Sequence, residues 1–172
     1  VRSVVGPVDT LKLARWTGSA WRNELVETGF VQYGQPPSIA FDAEGLPAIA
    51  NGNALDGRSG LRFVRWDGQR WAGEVFSSHG QLGRLIFDRS GNPLIGFTSQ
   101  SPGSVWLARR DKERGWTAEL VEGSLAYASG ALGNPMLELD PEGRLSLAYE
   151  RARAGVDGGW IYSIGLARRT AQ

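Results

Sequence analysis

The feature that most constrains this chain is a set of three sequence patterns that recur at intervals of about fifty residues. One is an alternating strand that ends in arginine, one is a strand that begins with tryptophan, and one is a pair of apolar strands joined by a D-x-x-G turn. Each repeat unit therefore holds four short strands. The copies are LKLARW (11–16), LRFVRW (61–66), VWLARR (105–110) and YSIGLARR (162–169); WRNELV (21–26), WAGEVF (71–76) and WTAELV (116–121); and PSIAFDAEGLPAIA (37–50), RLIFDRSGNPLIGF (84–97) and MLELDPEGRLSLAY (136–149).

The repeats predict an all-β fold, a β-propeller made of four-stranded antiparallel blades. The 24 glycines and 8 prolines are spread along the chain, as expected for many short turns, and no stretch shows a helical period. We expect about three and a half blades, at residues 1–27 (partial), 37–76, 84–121 and 136–169 (partial). The predicted strands lie near 2–5, 11–16, 21–27, 38–42, 47–51, 61–66, 71–76, 84–88, 93–98, 105–110, 116–121, 136–140, 145–150 and 161–168.

This number of blades does not close a ring, because propellers have at least about four. An open fan would expose apolar blade faces to water, which soluble proteins avoid. We therefore expect the chain to meet the remainder of a propeller, either within a longer polypeptide or through a second copy. Two copies would supply twenty-eight predicted strands, numerically enough for seven blades.

Composition argues against several classes of function. The formal net charge is +1 and the arginines recur at equivalent repeat positions, so we predict no nucleic-acid partner. No apolar run reaches the roughly 18–20 residues that span a bilayer, so we predict no membrane insertion. The absence of cysteine excludes disulfides and thiolate chemistry, and we predict no metal and no cofactor. Composition does not decide the compartment, although a secreted or cell-envelope location is favoured over the cytoplasm.

The three D-x-x-G turns have a structural and a metal-binding interpretation. Asp can accept hydrogen bonds from the amides of its own turn, and Gly adopts the positive φ that closes a hairpin. A calcium loop needs several oxygen ligands in alternation, whereas each turn here has its Asp and at most one further acid. We therefore interpret the turns as structural. They are Asp42–Gly45, Asp88–Gly91 and Asp140–Gly143.

Tryptophans flank a tight turn in two of the repeats. Trp16 and Trp21 enclose T-G-S-A, and Trp66 and Trp71 enclose D-G-Q-R. Two indoles can stack across a hairpin and contribute roughly 0.2–1 kcal/mol, which favours a structural clasp. Exposed indoles can also stack on sugar rings, so ligand contact is the alternative. In the third copy an arginine replaces the first indole, and a longer loop precedes Trp116.

Arginine and glutamate also recur at matching places on neighbouring strands. If the two indoles of a turn face each other, Arg15 lies diagonal to Glu24 on one sheet face, which predicts one cross-strand ion pair per blade. The alternative is an arginine cluster that binds a carboxylate, and it requires the arginine strands to be innermost. The repeated residues are Arg15, Arg65, Arg109 and Arg168, with Glu24, Glu74 and Glu119.

The order of these patterns resembles the bacterial seven-bladed fucose-binding lectins of the Photorhabdus type. That resemblance implies that PSIAF, RLIF and MLEL line the central channel, with LRFVRW third and WAGEVF outermost in their blade. The D-x-x-G turns are also similar to the Asp-box turns, S-x-D-x-G-x-T-W, of sialidase-like propellers. Only the Asp and Gly of that motif match here, and the Thr-Trp half is absent.

Strand alternation divides the loops between two rims. Both hairpin turns of each blade project to one rim, which is repetitive. The loops between second and third strands and the connections between blades project to the other rim, which is irregular in sequence. Irregular loops on a rigid repeated scaffold are the usual place for recognition. The candidate ligand contacts are therefore Tyr33, Gln35, Asn51, Asn53, Asp56, His79 and Tyr127.

Two classes of function remain. A binding module or scaffold needs only a rigid ring and loop side chains, and Tyr, Trp, Asn and Asp suit a glycan, although a protein ligand fits almost as well. A sialidase-like hydrolase needs converging arginines, an activated tyrosine and an acid. No tyrosine lies in a repeated motif with an acidic partner, and the lone His79 has no Ser/Asp arrangement around it. We therefore predict no catalytic residues here and a binding function, the alternative being a hydrolase whose catalytic residues lie partly outside this segment.

Overall fold

The described part of the computed structural model covers residues 10–28, 30–31, 36–55, 58–100, 103–125 and 134–169. Within these ranges the chain forms β-strands and turns and no helix, so the predicted all-β fold is confirmed. The strand predicted near 2–5 lies outside the described residues, and the short β3 was not predicted. The strands are β1 (Thr10–Trp16), β2 (Trp21–Thr28), β3 (Phe30–Val31), β4 (Ser38–Phe41), β5 (Pro47–Leu55), β6 (Arg58–Trp66), β7 (Trp71–Ser77), β8 (Gln81–Phe87), β9 (Pro93–Gln100), β10 (Gly103–Asp111), β11 (Gly115–Leu125), β12 (Met136–Leu139), β13 (Leu145–Ala154) and β14 (Trp160–Arg168).

The described strands form four antiparallel sheets that follow one another along the chain. Blade 1 contains β1 and β2, blade 2 contains β3 to β7, blade 3 contains β8 to β11, and blade 4 contains β12 to β14. In blades 2 and 3 each strand pairs with the next, except that β3 and β4 both pair with β5. The first strands β4, β8 and β12 contact one another, so they lie innermost, as the lectin resemblance implies.

The D-x-x-G turns are built by their aspartates. The carboxylate of Asp42 accepts hydrogen bonds from the amides of Glu44 and Leu46, both at 2.9 Å, and Gly45 adopts a φ of 76°. Asp88 and Asp140 form the same type of turn. Burial alone would raise the pKa of Asp42, but the Leu46 amide, the Arg65 guanidinium and the Glu44 amide together hold it below its usual 3.8. The carboxylate therefore remains ionised as part of the turn.

The core lies between the blades, because both faces of an inner sheet are covered. Along β5, Ala48 and Ala50 belong to the apolar cluster between blades 2 and 3, whereas Ile49 belongs to the cluster between blades 1 and 2. A third cluster, which includes Leu107 and Leu147, joins blades 3 and 4. Stacked blades that each bury both faces are the arrangement of a propeller.

Two rims follow from this topology. The hairpin-turn rim is formed by the turns that join first to second strands and third to fourth strands within a blade, at residues 17–20, 42–46, 67–70, 88–92, 112–114 and 140–144. The loop rim is formed by the opposite strand ends and by the connections between blades.

Candidate functional site

Few of the predicted ligand contacts fall within the described residues. Tyr33, Gln35, Asp56 and Tyr127 lie outside them, so their placement stays a prediction. Asn53 lies in β5, with its side chain outside the description. The remaining two candidates, Asn51 and His79, do not share an environment.

His79 lies on the exposed connection between blades 2 and 3. Its ring Nδ1 is 3.2 Å from the hydroxyl of Ser78, and its carbonyl accepts a hydrogen bond from Ser77. Among the described residues no group of three His, Cys, Asp or Glu side chains could hold a metal ion. His79 is therefore a loop residue that is open to solvent.

Asn51 is buried inside the interface between blades 1 and 2, with only 2 % of its surface exposed. Neither its amide nitrogen nor its amide oxygen has a hydrogen-bond partner among the residues that the structure describes. It lies directly opposite Arg62 in the β5–β6 register, and Arg62 forms an ion pair of 2.5 Å with Glu27 of blade 1. A ligand in solution cannot reach Asn51 without separating the two blades.

The equivalent place between blades 3 and 4 holds a tyrosine. The hydroxyl of Tyr149 donates a hydrogen bond to Glu122, and the same carboxylate forms an ion pair of 2.6 Å with Arg151. Burial, together with the hydrogen bond and charge of Glu122, raises the pKa of Tyr149 to about 12. Tyr149 is only 7 % exposed and belongs to the apolar cluster between blades 3 and 4, so this phenol serves the blade contact. The sequence did not indicate this acidic partner.

The tryptophan turns show where each second indole points. Trp16 and Trp21 pack on each other with ring centroids 5.5 Å apart, as do Trp66 and Trp71. Trp71 also packs against the apolar cluster shared with blade 1. Trp116 packs in the same way against two rings of blade 2, Phe63 at 5.4 Å and Phe76 at 5.1 Å. The second indole is therefore a contact with the preceding blade.

The structure contradicts the prediction of one arginine–glutamate pair per blade. Blade 1 has that pair, with 3.5 Å between Arg15 and Glu24. In the next two blades the arginine pairs instead with the aspartate of the D-x-x-G turn: Arg65 pairs with Asp42 at 2.6 Å and Arg109 with Asp88 at 2.9 Å.

The glutamates that are released in this way bridge to the following blade. Glu74 pairs with Arg110 at 2.5 Å, and Glu119 pairs with Arg169 at 3.0 Å. Arg110 and Arg169 occupy the repeat position that Trp66 holds in blade 2. Substitution of arginine for tryptophan at this position thus converts a hairpin clasp into a link between blades.

A cleft of about 480 Å³ opens beneath the first of these bridges, between blades 2 and 3 on the hairpin-turn rim. Its lining includes apolar groups of Leu46, Phe63 and Pro93, and its edge includes the charged Glu44 and Lys112. The two ion pairs Asp42–Arg65 and Glu74–Arg110 hold its walls. This volume lies within the roughly 300–1,000 Å³ of small-molecule sites.

The same place between blades 3 and 4 forms a smaller cleft of about 350 Å³. Leu107, Leu145 and Glu119 line it at the repeat positions of Phe63, Pro93 and Glu74. The clefts are therefore a product of the repeat and recur with it. Sequence reasoning missed them because it assigned the hairpin-turn rim to structure alone, although the recurrence of arginine at 110 and 169 was a visible signal.

Comparison with known proteins bears on the fold. No protein-family model and no curated protein matches this chain. A fucose lectin from Kordia zhangzhouensis, solved with methyl-fucoside, matches with a TM-score of 0.51 and 17 % identity over 79 % of this chain and 99 % of the lectin. An endo-arabinase from Bacteroides thetaiotaomicron matches with a TM-score of 0.53 and 18 % identity. The chain folds as part of a β-propeller.

The similarity to hydrolases is of the same order as the similarity to the lectin. An α-L-arabinanase from Penicillium chrysogenum, complexed with arabinobiose, matches with a TM-score of 0.52 and 12 % identity. This chain covers 92 % of its own length in that match but only 53 % of the arabinanase, and it covers 62 % of the Bacteroides enzyme. At these identities the matches establish the architecture, and the choice between binding and catalysis depends on the site.

Proposed function

We propose that this chain is a non-catalytic carbohydrate-binding module and that the cleft between blades 2 and 3 is one of its binding sites. The observation that carries the proposal is the chemistry of this cleft, in which half-buried apolar groups of Leu46 and Trp66 lie beside charged hydrogen-bonding groups. A pyranose or furanose ring offers the matching surfaces, an apolar face and a rim of hydroxyls. Such mixed clefts are typical of small-ligand sites.

Two groups at the edge of the cleft are available to a ligand. Within the described ranges the side chains of Glu44 and Lys112 have neither an ion-pair nor a hydrogen-bond partner. By contrast, Arg65 and Arg110 are occupied by Asp42 and Glu74, so they fix the walls rather than bind. A carboxylate acceptor and an ammonium donor on opposite blades suit adjacent sugar hydroxyls.

Four of the described aspartates are poorly suited to act as the general acid of a glycosidase. A glycosidase needs a carboxylic acid whose pKa is raised, so that it can protonate the leaving group. Hydrogen bonds from turn amides and neighbouring arginines instead hold the pKa values of Asp67, Asp111 and Asp140 below their usual 3.8, and that of Asp42 is lowered despite its burial. These carboxylates are acceptors in turns.

The test is a glycan array probed with the wild-type protein, followed by titration calorimetry on the glycans that bind. Lys112→Ala and Glu44→Ala should each weaken binding about ten-fold or more, since a lost charged hydrogen bond corresponds to roughly 1.5–3 kcal/mol. Lys12→Ala is the matched control, because Lys12 is the other lysine of the chain and lies on β1, away from the cleft. It should bind like wild type.

The variants Tyr33→Ala and Tyr127→Ala test the competing location on the loop rim. Loss of binding in these two variants, with Lys112→Ala unaffected, would place the site at the loop rim and refute the cleft. Release of free sugar from a bound glycan, followed by chromatography over a day, would instead establish the hydrolase alternative. A protein that is folded and binds no glycan would contradict the proposal altogether.

A further inference from the structure

The two terminal blades each present an apolar face that no other described blade covers. On blade 4 this face is turned away from blade 3 and carries Tyr162, Ile164 and Leu166 along β14. Ile164 is 79 % exposed and Leu166 is 60 % exposed. Large aliphatic side chains in a row on one sheet face are not left in water without a cost of roughly 1.5–3 kcal/mol each.

The repeat shows what these residues do when a neighbouring blade is present. Val105 and Leu107 hold the positions of Ile164 and Leu166 in blade 3, and they are 0 % and 4 % exposed beneath blade 4. The same side-chain positions are thus core in one blade and surface in the next. The exposed face of blade 4 is shaped to receive another blade.

Blade 1 presents the complementary kind of face. Ala14 and Trp21 are exposed there, on the side opposite blade 2. Their counterparts in blade 2, Val64 and Trp71, pack against blade 1. Trp21 is therefore the indole that would pack on a preceding blade, and no such blade lies among the described residues.

Charge favours a contact between these two faces. At the internal junctions Arg110 and Arg169 need a glutamate from the outer strand of the preceding blade. The described strands of blade 4 include no outer strand and hence no such glutamate. Blade 1 carries the uncharged Trp16 at this position, so packing on blade 4 leaves no arginine without its glutamate there.

We propose that the face of β14 on blade 4 packs against the Trp21 face of blade 1 of a second copy of this chain, head to tail. Two such junctions close a ring. Because the described residues form four sheets per chain, two copies contain eight, one more than the seven expected from strand counting and within the range of four to eight blades. The inference does not depend on the carbohydrate proposal.

The experiment measures the mass of the 172-residue chain by light scattering between about 1 and 100 µM, with circular dichroism to verify folding. We expect a dimer. Leu166→Glu on blade 4 and Trp21→Glu on blade 1 should each reduce the mass to that of a monomer at low concentration, because a charge is placed in the apolar contact. An equimolar mixture of the two variants should recover dimer, since one unmodified junction remains between unlike copies.

Leu25→Glu is the control on the same face of blade 1. Leu25 is 55 % exposed, and its counterparts Val75 and Leu120 are each 54 % exposed even where a preceding blade is packed. It should therefore stay dimeric. A folded wild-type monomer at all concentrations would overturn the proposal and assign these faces to further blades of a longer polypeptide. Loss of the dimer in only one of the two charged variants, with no recovery on mixing, would overturn the head-to-tail geometry.

Discussion

The junctions between blades 1 and 2 and between blades 2 and 3 use the same backbone register with opposite chemistry. At the loop rim of the first, the paired positions of β5 and β6 are Asn51 and Arg62. At the same place in the second, the paired positions of β9 and β10 are Phe97 and Trp106, whose rings stack at 6.3 Å. In the junction between blades 1 and 2, the outer strand of blade 1 supplies the charged Glu27. In the junction between blades 2 and 3, the outer strand of blade 2 supplies Ser77 at the same repeat position, next to Phe76.

The two junctions therefore show that the repeats share turns and strand register, whereas the side chains that form the contact between blades differ from one junction to the next. The polar junction requires its buried charges to be paired, since a buried charge without its partner is costly. The aromatic junction requires volume, because its free energy depends on close packing. The two junctions should therefore respond differently to the same type of substitution.

The largest effect is expected in the aromatic junction. Phe97→Ala removes a ring that is 3 % exposed and that contacts both Phe76 and Trp106. The free energy of unfolding should fall by about 3–5 kcal/mol, as for other buried aromatic truncations. Urea denaturation followed by tryptophan fluorescence measures it. A loss below about 1 kcal/mol would show that the aromatic stack is not part of the core.

The polar junction should be nearly as sensitive to the loss of one partner but insensitive to the loss of both. Arg62→Met removes the cation opposite Glu27, at a place where both side chains are less than 15 % exposed. We expect a loss of about 3 kcal/mol. The double variant Arg62→Met with Glu27→Leu should recover most of it in the same denaturation experiment. Equal losses in the single and double variants would contradict an ion-pair role.

The Tyr149–Glu122 contact between blades 3 and 4 should give a smaller effect that depends on pH. Tyr149→Phe should lower the free energy of unfolding by about 1–2 kcal/mol at neutral pH. Because folding raises the pKa of Tyr149 from 10.0 to about 12, its contribution is complete below pH 10 and is lost as the pH rises through 12. Denaturation of wild type and variant from pH 8 to 12 should give converging stabilities. Curves that stay parallel would contradict the linkage.

The smallest effect is expected at the bridge over the cleft. Arg110 and Glu74 are each about 40 % exposed or slightly less, so solvent screens their attraction. Arg110→Gln should therefore cost no more than about 1 kcal/mol, and added salt should reduce the difference. Thermal unfolding at low and high salt checks this. A loss of several kcal/mol would mean that the bridge is part of the core.

Much of this fold could be predicted from the repeats, and for a physical reason. Turn chemistry is local, so Asp42 and Gly45 identify their hairpin without knowledge of the rest of the chain. Strand alternation likewise identifies which residues of β6 share a face. Contacts between blades depend on side chains about fifty residues apart, which local patterns do not identify. Even within blade 2, the sequence does not show whether Arg65 pairs with Asp42 or with Glu74. The cleft was missed for the same reason.

The site predictions show the same limit. Asn51 was chosen because it follows an apolar strand near the loop rim, but the packing of blade 1 buries it. The position of a residue along a strand can be predicted from the sequence, whereas its burial by a neighbouring sheet cannot. For Tyr33, Gln35, Asp56 and Tyr127, outside the described residues, the original prediction stands to be tested by the substitutions proposed above.

Gly165 lies directly beneath the ring of Tyr149, and any larger residue there would overlap that ring. Arg62 and Trp106 occupy the same repeat position in the other two junctions. A blade packed at another junction would therefore meet a neighbour of the wrong size or charge. The differences between the junctions therefore favour packing of each blade on its neighbour in the chain over packing on a non-neighbouring blade.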